Sequence, residues 1–600
     1  MNLQSCKCDI KKHQVWFHFP FYLGKDPNFG TFSLQWKLQS PEDLGNFDRR
    51  SYFHKFVADQ LFGDPNDPTK GPDFETYKRV MKGTCNLGAD KIHTGNAKYW
   101  ITRFHLEIAD CELRILGSGS SQNGEQYKGI AVASLKVDII GVSETSRHDT
   151  VEQAWAAEFT TKPYTLTDAM CASDWIRRVY PRWWFAPGIP GDSISRVVNL
   201  STGEPIIVGA DEIAQDGSIE AALLPWITEL LRPIKFKGAN AIARIKGDER
   251  TYMSSLIAIK PDAQFKDNDE YKEAKTIAMI SNGDLLRLAE ADPKAVGDPD
   301  DNYSPDFTRS LKGQVFYDRH APHVKTSKFR STRWLITAQH LCAIGCGDFV
   351  TNDEDLPRHF SDFYRHMHFL CVFEQFRLLQ FSEDLSDLVR TYRDRKDPLS
   401  TAGNTEYITR LSEIRQDFLT HTHLHHFSNV SSQLQGKEMF DRLYSAFSIK
   451  ELHEEVEQEF ATASDFAETF HARTQTQSSD RLNQILSLGV PVGLGLALSA
   501  LWLDFTASAG AQLPVWYEAI TNTSSGLLMQ IGAITAATMA VWVIAAWFYG
   551  GRKDWNCREL LLIVGLCVAV AAAGLLGGIR HKPSPAVENS VGKDVNRCNE

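Results

Sequence analysis

Between Arg481 and Arg552 the chain contains no lysine or arginine, and between Pro398 and Pro491 it contains no proline. The first absence leaves a long stretch without the cations that usually hold a segment in water. The second removes the residue that most reliably ends a helix. Cysteine is sparse, eleven in 600 residues, which excludes a disulfide scaffold. Only Cys6-Lys7-Cys8 and the pair Cys342 and Cys346 are close, and neither has a second half at zinc-ribbon spacing. They read as free thiols in a reducing compartment. Met1 to Gly24 carries Lys7, Asp9, Lys11 and Lys12 and lacks an apolar core, so no signal peptide is expected. The net charge is −11 with both signs interspersed, which argues against nucleic acid as a partner. Gly117 to Gly124 is glycine-rich, but a strand pattern follows it where a phosphate loop would need a helix start. No nucleophile–base set stands out, so the chain reads as a non-enzyme without a cofactor of its own.

What the chain has instead is three uniformly apolar runs: Ile485 to Leu503, Leu527 to Tyr549 and Leu560 to Ile579. About 20 residues at 1.5 Å each span the roughly 30 Å hydrocarbon core, so these runs predict transmembrane helices. Arg552, Lys553 and Arg558 follow the second run, whereas the loop after the first carries only Asp504 and Glu518. The positive-inside rule then puts the N-terminus in the cytoplasm of a multi-pass inner (plasma) membrane protein, with the 504–526 loop outside. Trp502, Trp516, Tyr517, Trp547, Tyr549 and Trp555 fall at the expected interfaces. The runs hold almost no ionisable residue, which favours a pore or an anchor over a proton-coupled pump.

The preceding part predicts a mixed α/β region. Tyr99 to Leu116 and Ile130 to Val142 alternate as half-buried strands around the 117–124 loop, with further strands at Ala241–Ile245 and Ser254–Ile259. Helical stretches fall around Asp168–Val179 and Glu220–Leu231. Arg177, Arg178, Arg182, Trp183 and Trp184 read as a solvated helix end packed by tryptophans, or as a phosphate-binding group. Asp292 to Asp306 lacks the glutamate of a calcium loop and reads as a linker. Phe363, Met367, Leu370, Phe373, Phe376, Leu379 and Leu385 follow helical spacing over 360–389, and helical periodicity resumes at Tyr407. With no proline to stop it, one or two long acidic helices would feed into the first apolar run. The expected class is α+β: a mixed region over 1–260, a linker-rich segment over 261–352, a long-helix stalk over 353–484, transmembrane helices over 485–579 and a polar tail over 580–600.

His421, His423, His425 and His426 form the densest group of ligand-type side chains. On a helix, Asp417, His421 and His425 share one face, and two histidines with a carboxylate can hold a divalent metal. Asp465 and Glu468 on the acidic stretch are further candidates.

Arg481-Leu482-Asn483-Gln484-Ile485-Leu486-Ser487 ahead of Pro491 resembles the membrane entry of the CorA-type divalent cation transporter superfamily. Phe548-Tyr549-Gly550-Gly551-Arg552-Lys553-Asp554-Trp555 resembles the end of that family's second span, and Phe427 to Glu438 is similar to a stretch of bacterial CorA-like proteins. The overlap covers roughly 355–556. The resemblance implies a homopentamer in a lipid bilayer whose first span lines a cation path at Asn483, Ser487 and Ser499. Asp504, Thr506, Ser508 and Glu518 would then stand at the outer mouth, with Mg²⁺ or another divalent cation as transported or regulatory ion. Two features depart from the family. Ala507, Ser508 and Ala509 stand where its Gly-Met-Asn signature belongs, and a third apolar run is added. A second expectation comes from these departures: a membrane effector of signalling or defence type whose N-terminal region senses an unknown cytosolic ligand.

Overall fold

A computed structural model describes residues 8–22, 27–28, 36–44, 47–67, 72–79, 86–95, 98–116, 130–177, 195–198, 205–208, 235–236, 250–266, 271–293, 304–317, 331–393 and 401–469, with Ser479, Asn483 and Ala497. Internal packing divides the chain into units 1–464 and 465–600. Nearly all described residues belong to the first. In the second, 465–469 and the three single positions are helical.

The first unit is built on a sheet whose strands include β1 (Ile10–Tyr22), β2 (Phe74–Arg79), β3 (Asn86–Gly95), β4 (Lys98–Leu116) and β5 (Ile130–Glu144). It continues through β6 (Tyr252–Ile259), β7 (Phe316–Tyr317), β8 (Thr332–Ile336) and β9 (His340–Cys346). Their order is β3-β4-β5-β1-β6-β9-β8-β7. The β6–β9 pair is parallel and the others along this path are antiparallel. The alternating β4 and β5 pair as the sequence predicts, while the loop between them lies outside the described residues. On the edge away from β5, β4 serves two neighbours: its first half pairs with β3 and its second with β2. Register shifts at His105/Leu106 and Ile108/Asp110 fall at that exchange, as bulges do where a strand bends.

β1 is buried on both faces, and its alternation sorts two chemistries. Val15, Phe17, Phe19 and Phe21 join the main apolar core with α2 (Leu166–Ile176), α3 (Lys272–Met279) and α4 (Asn282–Glu290). Trp16 and His18 point to the opposite face, where Trp16 meets Phe360 and His18 meets His368. The segment 261–352, expected to be linker-rich, therefore supplies two core helices and three strands. Residues 294–303, inside the expected Asp292–Asp306 linker, lie outside the described set, as do 220–231 and 241–245.

The second face is covered by α6 (Arg365–Arg393), preceded by a π turn over Phe360–Tyr364 in which Arg365 N–H reaches back five residues to Phe360 O. The expected stalk is thus corrected. α6 lies on the sheet, and α7 (Thr401–Leu424), α8 (Leu434–Ala446) and the helix over 449–469 are separate pieces. No proline separates α7, α8 and the 449–469 helix; tertiary contacts do. His54 N–H donates to Val430 O, Ser431 Oγ donates to Tyr52 O, and Phe427 and Val430 are buried, so 425–433 leaves the helical path. Ser448 takes a left-handed φ of 49° beside buried Phe447, which turns the chain again.

The transmembrane part of the expected fold is corrected as well. Among the described residues no helix is long and apolar enough to cross a membrane. α6 has the length, but Glu374, Arg377, Glu383, Asp384 and Asp387 interrupt its apolar face. The three apolar runs lie outside the described residues, apart from Ala497.

Five histidines are buried in the sheet or against it: His13, His18 and His340 on strands, His366 and His368 on α6. Burial drives His13 and His368 down to about 3, His340 to about 4, and His18 and His366 well below their ordinary value. Their folded pKa values lie below those of the unfolded chain, so unfolding takes up protons once the pH falls under roughly 6.5. The stability they contribute is complete above that value and drains as pH falls, by about 1.4 kcal/mol per pH unit for each histidine. Urea midpoints should therefore drop steeply between pH 7.5 and 5, and His368→Gln should flatten the dependence. A midpoint indifferent to pH over this interval would contradict the neutral assignment.

Candidate functional site

Between the second face and α6 lies a buried polar layer. In β4, Glu112 and Arg114 are two apart and share this face, where Glu112 pairs with Ser134 and Arg114 with Val132 across β5. Arg365 Nη1 donates to Glu112 Oε2 at 2.8 Å, and Arg114 Nη2 lies 3.3 Å from the same oxygen. Burial alone would raise the Glu112 carboxyl, but Arg365 and then Arg114 hold it well below the usual carboxylate range. Arg114 Nη2 also lies 2.8 Å from His366 Nε2, so that nitrogen accepts and the ring is neutral. A second chain runs from Ser134 Oγ through His18 and Ser254 Oγ to His368 Nδ1, with contacts of 2.8, 3.1 and 2.8 Å.

The layer continues into the π turn. Asp362 accepts from Arg49 Nη2 at 2.5 Å, tying the turn to α1 (Phe47–Tyr52). Immediately outside is a half-open cavity of about 420 Å³, within the size range of small-molecule sites. Tyr52 and Phe363 stand stacked on its wall with centroids 4.1 Å apart and planes 6° from parallel. Trp334 of β8 and Tyr364 meet edge-on at 4.7 Å, and Trp334 stacks on Phe360 from behind. Tyr317, beside Trp334 at the β7 edge, contributes a further ring whose hydroxyl donates to Glu438 at 2.5 Å. Gln433 and Gln435 enter from the start of α8. Among the described lining residues Arg358 of α5 (Leu356–His359) lies 3.5 Å from Asp48 and 3.6 Å from Glu354. Gly436 closes the seam, because a Cβ there would stand 2.9 Å from Ser431 and from the Tyr52 hydroxyl.

The histidine-rich segment folds differently from its expected metal face. His421 is buried, and its Nε2 lies 3.1 Å from Glu374 Oε1. His426 Nδ1 lies 2.6 Å from the same oxygen, while its Nε2 lies 3.2 Å from the Tyr444 hydroxyl. His425 turns to Asp73 at 3.4 Å, and Asp417 stays partly exposed. Both nitrogens on Glu374 must carry protons, so they have no lone pair for a metal. Burial would raise the Glu374 carboxyl, yet His421 and then His426 bring it to about 2. Among the described residues no group of three or more histidine, cysteine or acidic side chains could hold a metal ion. Asp465 and Glu468 are exposed on the 449–469 helix.

Cys342 and Cys346 lie on β9 as buried free thiols, pushed by burial to about 12. Arg177, expected at a solvated helix end, is buried, with Nη2 on Ala291 O at 3.3 Å. Arg178, Arg182, Trp183 and Trp184 lie outside the described residues, as do Ser487, Ser499, Asp504, Thr506, Ser508 and Glu518. Asn483 is helical and exposed.

Sequence reasoning missed the cavity and the Glu112 layer. The layer left no signal, since Glu112 and Arg114 fall at the polar positions of a strand whose alternation reads as half-buried. The cavity left none, because its walls come from segments near 50, 317–334, 349–364 and 433–435. No protein-family model, curated protein or solved structure matches the chain.

Removing one member of a buried ion pair strands its partner's charge, at about 3–5 kcal/mol. Glu112→Gln should lower unfolding stability by that order, and adding Arg365→Met should recover part of it; additive losses in the double variant would show the pair to be uncoupled. For the histidine clasp, Glu374→Gln should cost about 1.5–3 kcal/mol, and Zn²⁺ should leave the unfolding midpoint of the unaltered chain where it is.

Proposed function

We propose that this chain is a ligand-responsive regulatory protein whose first unit captures a small, planar, polar molecule in the cavity beside the π turn. The observation that carries this is the cavity itself: about 420 Å³, half open, walled by rings and side-chain amides, and built directly on a π turn. Such turns concentrate at functional sites because the extra residue re-aims side chains. Phe363 and Tyr364 face the cavity, while Asp362 of the same five residues is engaged with Arg49, and Arg365 follows on Glu112. A ligand pressing on the turn thus acts on the residues that seat α6 against the sheet. The rings are already held by other rings, so little ordering is spent on binding.

The test is a thermal-shift screen of the purified chain against neutral planar heterocycles and neutral sugars. A ligand present at a hundred times its Kd stabilises by about 2.7 kcal/mol, which raises the melting temperature by a few degrees. Ser51→Trp, at an exposed lining position, should fill the cavity and erase the shift. Shifts that persist unchanged in Ser51→Trp would place binding elsewhere and remove the proposal.

A further inference from the structure

Resting on that cavity as the ligand site, we infer that its ligand is a purine nucleoside, bound through its base and without a phosphate requirement. Three features of the wall point there. First, the apolar part is aromatic: Trp334, Tyr52 and Phe363 line the cavity, and base–aromatic stacking tolerates any base. Second, the polar part is amide. Gln433 and Gln435 both line the cavity, and neither spends its side-chain amide on another described residue. A glutamine amide offers one donor and one acceptor side by side, the complement of adenine N7 and its 6-amino group. Third, the one cation among the described lining residues already stands beside carboxylates: Arg358 lies 3.5 Å from Asp48 and 3.6 Å from Glu354, whose negative charge opposes a further anion there. The volume accommodates a base and its sugar together, and the remaining open side lets the ribose reach water.

Isothermal titration of the full chain with adenosine, inosine, uridine and adenosine monophosphate decides the matter, with indole and maltose as ring-only and sugar-only probes. Adenosine should bind best. Inosine, which lacks the 6-amino group, should bind about ten- to a hundredfold more weakly. Adenosine monophosphate should bind no more tightly than adenosine. Gln433→Ala with Gln435→Ala should weaken adenosine by a similar factor while leaving the melting temperature of the free chain unchanged, because both side chains are at least partly exposed. Ser51→Trp should abolish the heat.

If indole or maltose binds in a Ser51→Trp-sensitive manner and no nucleoside does, the nucleoside assignment falls while the cavity stands as a ligand site. If no probe binds, and the screen with neutral heterocycles finds nothing sensitive to Ser51→Trp, both fall together. Adenosine monophosphate binding well above adenosine would overturn the claim that phosphate is not read.

Discussion

The carboxylate of Glu112, buried beneath α6, is the constraint around which the first unit is arranged. A charge taken out of water is tolerated only where opposite charge and hydrogen bonds surround it. Arg365 comes from the helix and Arg114 from the strand, so satisfying one carboxylate fixes how the helix crosses the sheet. Arg114 then needs His366 to accept, and Arg365 sits one residue beyond the π turn. The turn's Asp362 in turn fixes α1 through Arg49. Moving the helix by a residue would leave several of these groups unsatisfied at once.

This polar layer explains an asymmetry between the two faces. The face under α2, α3 and α4 is packed with valine, leucine, isoleucine and phenylalanine, and its specificity comes from shape. The face under α6 carries His18, Ser134, Ser254 and His368 in a hydrogen-bonded chain among aromatic rings. Such a layer specifies register closely because each contact is directional. It also ties the folded state to pH, since every one of its histidines is held uncharged. The Glu374 clasp repeats the pattern at the next interface, where α7 and the turn after it meet α6.

The cavity follows from the same arrangement. The π turn breaks the regular ladder just where α6 begins, with Phe363 and Tyr364 on the cavity wall while Phe360 stays against Trp16 and Trp334. Gln433 and Gln435 reach the opposite rim because Ser431 is hydrogen-bonded to Tyr52 O, pulling the 425–433 segment across from α7. A site assembled from four distant stretches is therefore a by-product of how the buried charges are satisfied.

Local periodicity made part of this legible. The alternation of β4 and β5 and the helical spacing of Phe363, Met367, Leu370, Phe373 and Phe376 are properties of neighbouring residues, and the structure keeps them. The absence of proline after Pro398 was a poorer guide, because the breaks at 425–433 and 447–448 arise from contacts with Tyr52, His54 and Tyr252 far away in sequence. The histidine cluster shows the division most clearly. The sequence alone put four histidines within six residues; only the tertiary structure decided that Glu374, not Asp417, would take His421 and His426, and that His425 would turn to Asp73. Composition sets which chemistry is available to a chain. Which groups meet is decided by packing, because their partners lie tens to hundreds of residues apart and no local pattern encodes that distance.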